Sequence, residues 1–256
     1  MNSPRRPSST TLLPLLAALL CFLPVPTPAS PTAREILDAV DDLYRGESSR
    51  GVMIMTITTA HWTRTLSMDF WSKGKERSLI RITSPKKERG TATLRSDRDM
   101  WNYLPKVNRV IKLPSSMLSS SWMGSHFTND DLVKENRMTE DYDFSVTGEG
   151  VLGGDPTVEL TCVPKEDAAV VWGKVVFTIR QKDIMPLAVR YFDEDMRLAR
   201  TLTFSDYRTV GDRLVPVRME VEPVDDPGES TVVVYDEIEF DVELPDDLFS
   251  IRSLQR

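Results

Sequence analysis

The sequence predicts a mainly β protein of α+β class, a single curved antiparallel sheet with helices only at its start and in its middle. A capped amphipathic helix stands at residues 31–48. The hydrophobic period then changes from 3.6 to 2 at Gly51, and clusters of turn-forming residues punctuate the chain from there to its end. Roughly ten or eleven strands fit between those turns.

Before the helix, "MNSPRRPSSTTLLPLLAALLCFLPVPTPAS" has the build of a secretory leader. Arg5 and Arg6 form a positive end, Leu12 to Leu23 an apolar stretch, and Thr27 to Ala29 a small-residue cleavage region. Pro14 and Pro24 break the stretch too often for it to span a bilayer. No Phe-Leu follows the arginine pair as the twin-arginine route asks, and Leu20 precedes Cys21 where a lipoprotein needs a small residue. The expectation is a leader at 1–30, cleaved on export, and one domain at 31–256.

In the helix, Thr32 and Glu35 stand at capping-box spacing, and Ile36, Leu37, Val40, Leu43 and Tyr44 form an apolar stripe that ends near Gly46. Its polar face is acidic, which suits packing on a sheet better than lying on a membrane. From Gly51 to Pro114 the turns fall at Lys73-Gly74-Lys75, Pro85-Lys86-Lys87-Glu88, Ser96-Asp97-Arg98 and Pro105-Lys106-Val107-Asn108. Between them Thr65, Ser67 and Asp69 alternate with Leu66, Met68 and Phe70, the pattern of a strand with one wet and one dry face. Strands resume at Tyr142, with further turns at Asp193-Glu194-Asp195, Gly211-Asp212 and Asp226-Pro227-Gly228. The tail "LPDDLFSIRSLQR" reads as a short turn that docks Leu248 and Phe249.

Composition excludes several functions. Without the leader, which holds Arg5 and Arg6 and no acid, 30 basic residues face 39 acidic ones, an unsuitable surface for nucleic acid phosphates. Cys162 is then the sole cysteine, so no intramolecular disulfide forms; counted in twos from Val158 and Leu160 it reads as a buried thiol. The chain has two histidines, His61 and His126, on different elements, and no metal-ligand spacing. A triad of one of Ser119 to Ser121, His126 and Asp130 or Asp131 lacks a Gly-x-Ser-x-Gly elbow. Asn129-Asp130-Asp131 lacks the glycine and spacing of a calcium loop and reads as the capped start of a helix. The chain is expected not to be an enzyme and to need no cofactor.

What stands out is methionine and aromatic residues at strand period. Met53, Met55 and Ile57 share one face of the first strand, and Leu66, Met68 and Phe70 one face of the second. Trp101 and Tyr103 share a face of a later strand, while Trp122, Met123 and Phe127 crowd the passage "SSSWMGSHFTNDDLVK". Such residues fill ordinary cores, and they also suit a surface that receives ligands of varied shape.

"WSKGKERSLIRITSPKKERGTATL", "MWNYLPKVNRVIKLP" and "SSSWMGSHFTNDDLVK", behind a leader and a capped helix, resemble the outer-membrane lipoprotein-sorting proteins of the LolA/LolB-like superfamily. His126 departs from the pattern, where an acidic residue is usual. The resemblance implies an unclosed barrel of about eleven antiparallel strands, with helices over an apolar cavity lined by the eleven residues just named. It implies a periplasmic carrier, a monomer, that takes lipidated protein or lipid from a membrane transporter to an outer-membrane acceptor. Trp122, Met123 and Phe127 would then plug the cavity, with Ser119 to Ser121 as a link. Lys106, Arg109 and Lys112 are candidates for a phosphate or carboxylate contact, against the plainer reading of a solvated turn. Two other classes stay open: an accessory protein of an RND- or ABC-type exporter that binds protein, and a secreted hydrolase.

Overall fold

The computed structural model describes residues 31–43, 46–97, 99–134, 138–168 and 170–255. The expected leader, Tyr44 of the helical stripe and Arg98 of one turn lie outside them. Everything below belongs to the unit Pro31–Arg256.

The period-2 stretch begins at Ser48, three residues before Gly51, and runs through β1 (Ser48–Thr58), β2 (Thr63–Lys73), β3 (Arg77–Ser84), β4 (Ala92–Ser96), β5 (Asp99–Leu104) and β6 (Arg109–Lys112). After a long connection come β7 (Tyr142–Leu152), β8 (Asp155–Pro164), β9 (Lys174–Arg180), β10 (Met185–Phe192), β11 (Leu198–Val210), β12 (Arg213–Pro223) and β13 (Ser230–Phe240). The count is thirteen rather than ten or eleven. Strands as short as β4 and β6, with five and four residues, show too few alternations to register as separate elements. The expected turns join consecutive strands at each place named above.

All thirteen form one sheet in the order β6-β5-β4-β3-β2-β1-β13-β12-β11-β10-β9-β8-β7. Each pairing is antiparallel. The sheet is curved and unclosed, a LolA-like fold with β6 and β7 as its two edges. This order has a consequence for the segment between them. The chain leaves the sheet at one edge, after β6, and re-enters at the other, at β7, so residues 113–141 must cross from edge to edge. The passage at 119–134 lies on that crossing, together with α2 (Asn129–Lys134) and α3 (Met138–Asp141).

Burial follows the register. Met53 lies opposite Met68 and Met55 opposite Leu66, so the inward side chains of β1 and β2 form one apolar bed, in which Met55, Ile57, Leu66 and Met68 are fully buried. Gly51 is required where β1 passes β13 at a bulge, since a Cβ there would run into the Glu237 carbonyl. Helix α1 (Ala33–Asp42) lays Ile36 and Leu37 into the same core and touches α3 and β7. Its N-terminus is capped as the spacing predicts: Thr32 Oγ1 accepts from the Glu35 amide at 3.3 Å and the Glu35 carboxylate accepts from the Thr32 amide at 2.7 Å. Cys162 is buried in line with Val158 and Leu160.

A second cluster lies on the other face of β3 to β5. Successive side chains of a strand point to opposite faces, so Ile80 and Ile82 join the main core while Leu79 joins Ala92 and Leu94. The C-terminal segment covers this patch with Leu244, Phe249 and Leu254, and Leu248 packs beside them.

Candidate functional site

The concave face encloses a cavity of about 220 Å³. Its apolar wall includes Met53 and Phe70 from β1 and β2, Phe177 and Val189 from β9 and β10, and Leu202 and Val221 from β11 and β12. The crossing segment roofs it with Trp122, Phe127, Leu132 and Met138.

The roof is shaped by short-range backbone chemistry and tied down by side chains. Ser121 and Thr128 form an isolated antiparallel bridge, and the Trp122 amide donates to the Phe127 carbonyl at 2.8 Å, folding 121–128 into a tight hairpin-like loop. Met123 and Gly124 at its tip both take positive φ, 53° and 72°. Thr128 then caps α2: its Oγ1 accepts from the Asp131 amide at 3.2 Å, and the Asp131 carboxylate accepts from the Thr128 amide at 2.6 Å. Trp122 Nε1 donates to Thr93 Oγ1 on β4 at 3.1 Å, and Arg64 on β2 donates to the Met123 carbonyl. The His126 amide donates to Thr231 Oγ1 at 3.0 Å; its ring Nδ1 lies 2.8 Å from the same oxygen and Nε2 3.3 Å from Glu229.

Arg200 on β11 is a further tie, with a side chain only 5 % exposed. Its Nη1 donates to the His126 carbonyl at 2.7 Å and its Nη2 to Asp131 at 2.5 Å. The guanidinium also lies 4.4 Å from the Trp172 ring centre and 4.3 Å from that of Tyr191. Burial by itself lowers this arginine's pKa, but the Asp131 carboxylate and Tyr191 together outweigh it and the net shift is upward. Arg95 on β4, 3 % exposed, donates to the Leu132 carbonyl at 3.2 Å and to that of Lys75. Tyr142 donates to the Trp172 carbonyl at 3.3 Å, and burial above all pushes its pKa up.

The cavity gathers some of the residues singled out by period and leaves others aside. Met53, Phe70, Trp122 and Phe127 line it; Met55, Ile57, Leu66 and Met68 form the bed beneath; Met123 packs against that core without lining the space. Trp101 and Tyr103 share a face, but it is the opposite one. Thr93 pairs with Asn102 and Leu94 with Trp101, so Asn102 looks inward while Trp101 and Tyr103 join the second cluster. Lys106, Arg109 and Lys112 stand exposed at the β5–β6 end of the sheet, where Lys112 pairs with Asp99 at 2.6 Å, and none of them lines the cavity. The arginines that do line it are Arg77, Arg95 and Arg200. A signal for Arg200 was present: in "LARTLTF" it shares parity with Leu202 and Phe204, a charge on an inward face.

His126 makes its contacts to Thr231 and Glu229, while Ser121 donates to the Ser125 carbonyl. No group of three or more His, Cys, Asp or Glu is gathered as a metal site among the described residues. No helix among them is long and apolar enough to cross a membrane.

A family model described only as "Uncharacterized protein" matches residues 74–256. No curated protein matches the chain. Among solved structures, the chain is similar to a DUF1329 family protein from Desulfovibrio piger, with a TM-score of 0.81, 27 % identity, and 87 % of this chain and 98 % of that one covered. A putative outer membrane lipoprotein-sorting protein domain from Vibrio parahaemolyticus gives 0.78 and 26 % identity, covering 88 % and 98 %. A LolA superfamily protein from Nitrosomonas europaea gives 0.75 and 24 % identity over 87 % and 99 %, a likeness of fold. The chain belongs to the family of the model that matches residues 74–256, and it shares its fold with the lipoprotein-sorting domain and the LolA superfamily protein.

Proposed function

We propose that the chain is a periplasmic carrier, exported with residues 1–30 removed, that holds the acyl part of a lipid or lipidated protein in its concave face and moves it toward the outer membrane. The observation that carries this reading is the apolar cavity roofed by a segment that the strand order forces across the sheet. The likeness to a putative outer membrane lipoprotein-sorting protein domain supports it. Met53, Phe70, Trp122 and Phe127 would touch the acyl chain, above the bed of Met55, Ile57, Leu66 and Met68, with Met123 flanking the roof.

The energetics are physical rather than chemical. Each methylene moved out of water contributes about 0.8 kcal/mol, so a chain of ten carbons is held firmly. The space of about 220 Å³ is smaller than the roughly 300–1,000 Å³ usual for small-molecule sites, so cargo entry calls for Trp122 and Phe127 to move aside. Refilling by the same side chains would assist release. A membrane transporter as donor and an outer-membrane acceptor complete the route.

A second reading has its own observation. Edge strand β7 and its hairpin partner β8 expose Val146, Val151, Leu152 and Val163, which suits docking on a protein such as an exporter subunit. Mass spectrometry of the chain purified from periplasm without detergent, with lipid analysis of what accompanies it, separates the two. An acyl-bearing ligand at one per chain is expected. A ligand-free mass that persists after incubation with lipid vesicles and lipoprotein would sink the carrier reading and favour the exporter one.

A further inference from the structure

Two buried donors in the cavity wall have no acceptor among the described residues. Trp172 Nε1 and Arg200 Nε are both shut off from solvent and both lack a hydrogen-bond partner among the described residues, although the rest of the Arg200 guanidinium is engaged by His126, Asp131 and Tyr191. The two groups adjoin, because the guanidinium lies 4.4 Å from the Trp172 ring centre, and both residues line the cavity. Buried N–H groups are nearly always paired, and an orphan is costly enough to call for an account.

Local structure holds Trp172 in this position. Gly173 follows it with its amide donating to the Phe192 carbonyl at 3.0 Å, and a Cβ there would collide with the Asp193 carbonyl. Tyr142 fixes the Trp172 carbonyl from the opposite side, and the Tyr191 ring packs against the indole at 5.2 Å.

Charge decides which acceptor fits. Arg77, Arg95 and Arg200 line the cavity with Asp130 and Asp131, and Arg77 pairs with Asp246 outside it, so arginines and carboxylates balance in number. A free carboxylate would enter without a countercharge, whereas a neutral carbonyl needs only a donor. From this geometry we infer that Trp172 and Arg200 form a polar subsite for a neutral acyl carbonyl, the ester or amide by which a fatty chain joins a lipid or a lipidated protein. The inference rests on the carrier reading and adds the head-end chemistry of the cargo.

The test measures binding of methyl laurate, laurate and dodecane to the mature chain by displacement of a polarity-sensitive fluorophore. Expected is an ester about tenfold tighter than the alkane of like length, equivalent to about 1.4 kcal/mol, with laurate no tighter than the ester. Trp172→Phe keeps an aromatic ring and loses the donor, and should bring the ester to the affinity that dodecane shows in the same variant. The wild-type comparison needs no variant to fold: equal affinities for ester and dodecane overturn the inference while the carrier reading survives. An ester advantage that outlasts Trp172→Phe, or laurate binding tightest, also overturns it. Binding of none of the three removes the carrier reading and the subsite with it.

Discussion

One sheet carries two apolar patches, and the two are covered in different ways. On the convex side of β3 to β5, the C-terminal segment places Leu244, Phe249 and Leu254 directly on Leu79, Ala92 and Leu94, which leaves an apolar contact with its polar ties at the rim. At the rim Lys73 and Arg77 reach the largely exposed Asp246 at 2.9 and 2.8 Å, while Lys73 also donates to the Leu244 carbonyl and Arg81 to that of Ser253 at 2.9 and 2.6 Å. On the concave side, the crossing segment rests on side chains that stop short of filling the space, and its ties run inward through Arg200, Arg95 and Trp122. A closed contact serves stability. A roof hung from a few polar bonds over a cavity has somewhere to go, at the cost of burying charge.

Substitutions can break this comparison. The largest effect is expected for Met55→Asp, which puts an unpaired charge into the fully buried bed of the concave side. It should cost more than about 4 kcal/mol and leave no cooperative unfolding transition by circular dichroism. A folded Met55→Asp protein that still binds lipid would mean that β1 faces the other way.

Next comes a matched pair. Phe249→Ala and Trp122→Ala each remove a large buried ring and should each cost about 3–5 kcal/mol in denaturant unfolding. They should part in function: Trp122→Ala, alone or with Met123→Ala, weakens retention of an acyl ligand, while Phe249→Ala leaves retention by the folded fraction as it was. Equal loss of retention in both would show that the two coverings act as one unit.

The smallest effect concerns acid. Hydrogen bonds from Lys73 first, then Arg77, hold the Asp246 carboxyl below the usual carboxylate range. A depressed folded pKa adds stability above the unfolded value of about 3.9, and that stability is lost as pH falls through the folded pKa. Proteolysis of the tail should therefore rise below about pH 4, and Asp246→Asn should raise it at neutral pH and flatten the acid response. A tail in the variant protected to the same degree as in the wild type at every pH would show that its other contacts hold it without Asp246.

The capped start of α1, the apolar stripe through Ile36 and Leu37, the turn positions and the bed of Met55, Leu66 and Met68 were legible in the sequence. Each depends on neighbours within a few residues or on a strand's own alternation. The inward place of Arg200 is legible too, since strand parity places charges on a face just as it places methionines. Alternation put Trp101 and Tyr103 together but could not say on which face, because both faces of β3 to β5 are covered and a wet face no longer marks the outside.

The sequence by itself determined that this chain builds one antiparallel sheet behind a capped helix. Only the tertiary structure decided that the sheet stays open with β6 and β7 at its edges, so that residues 113–141 must cross the mouth and bring His126 and Asp131 to Arg200. The reason is separation along the chain. Asp131 and Arg200 are 69 residues apart, and the contact is set by the order and register of all the strands between them, which no local periodicity encodes.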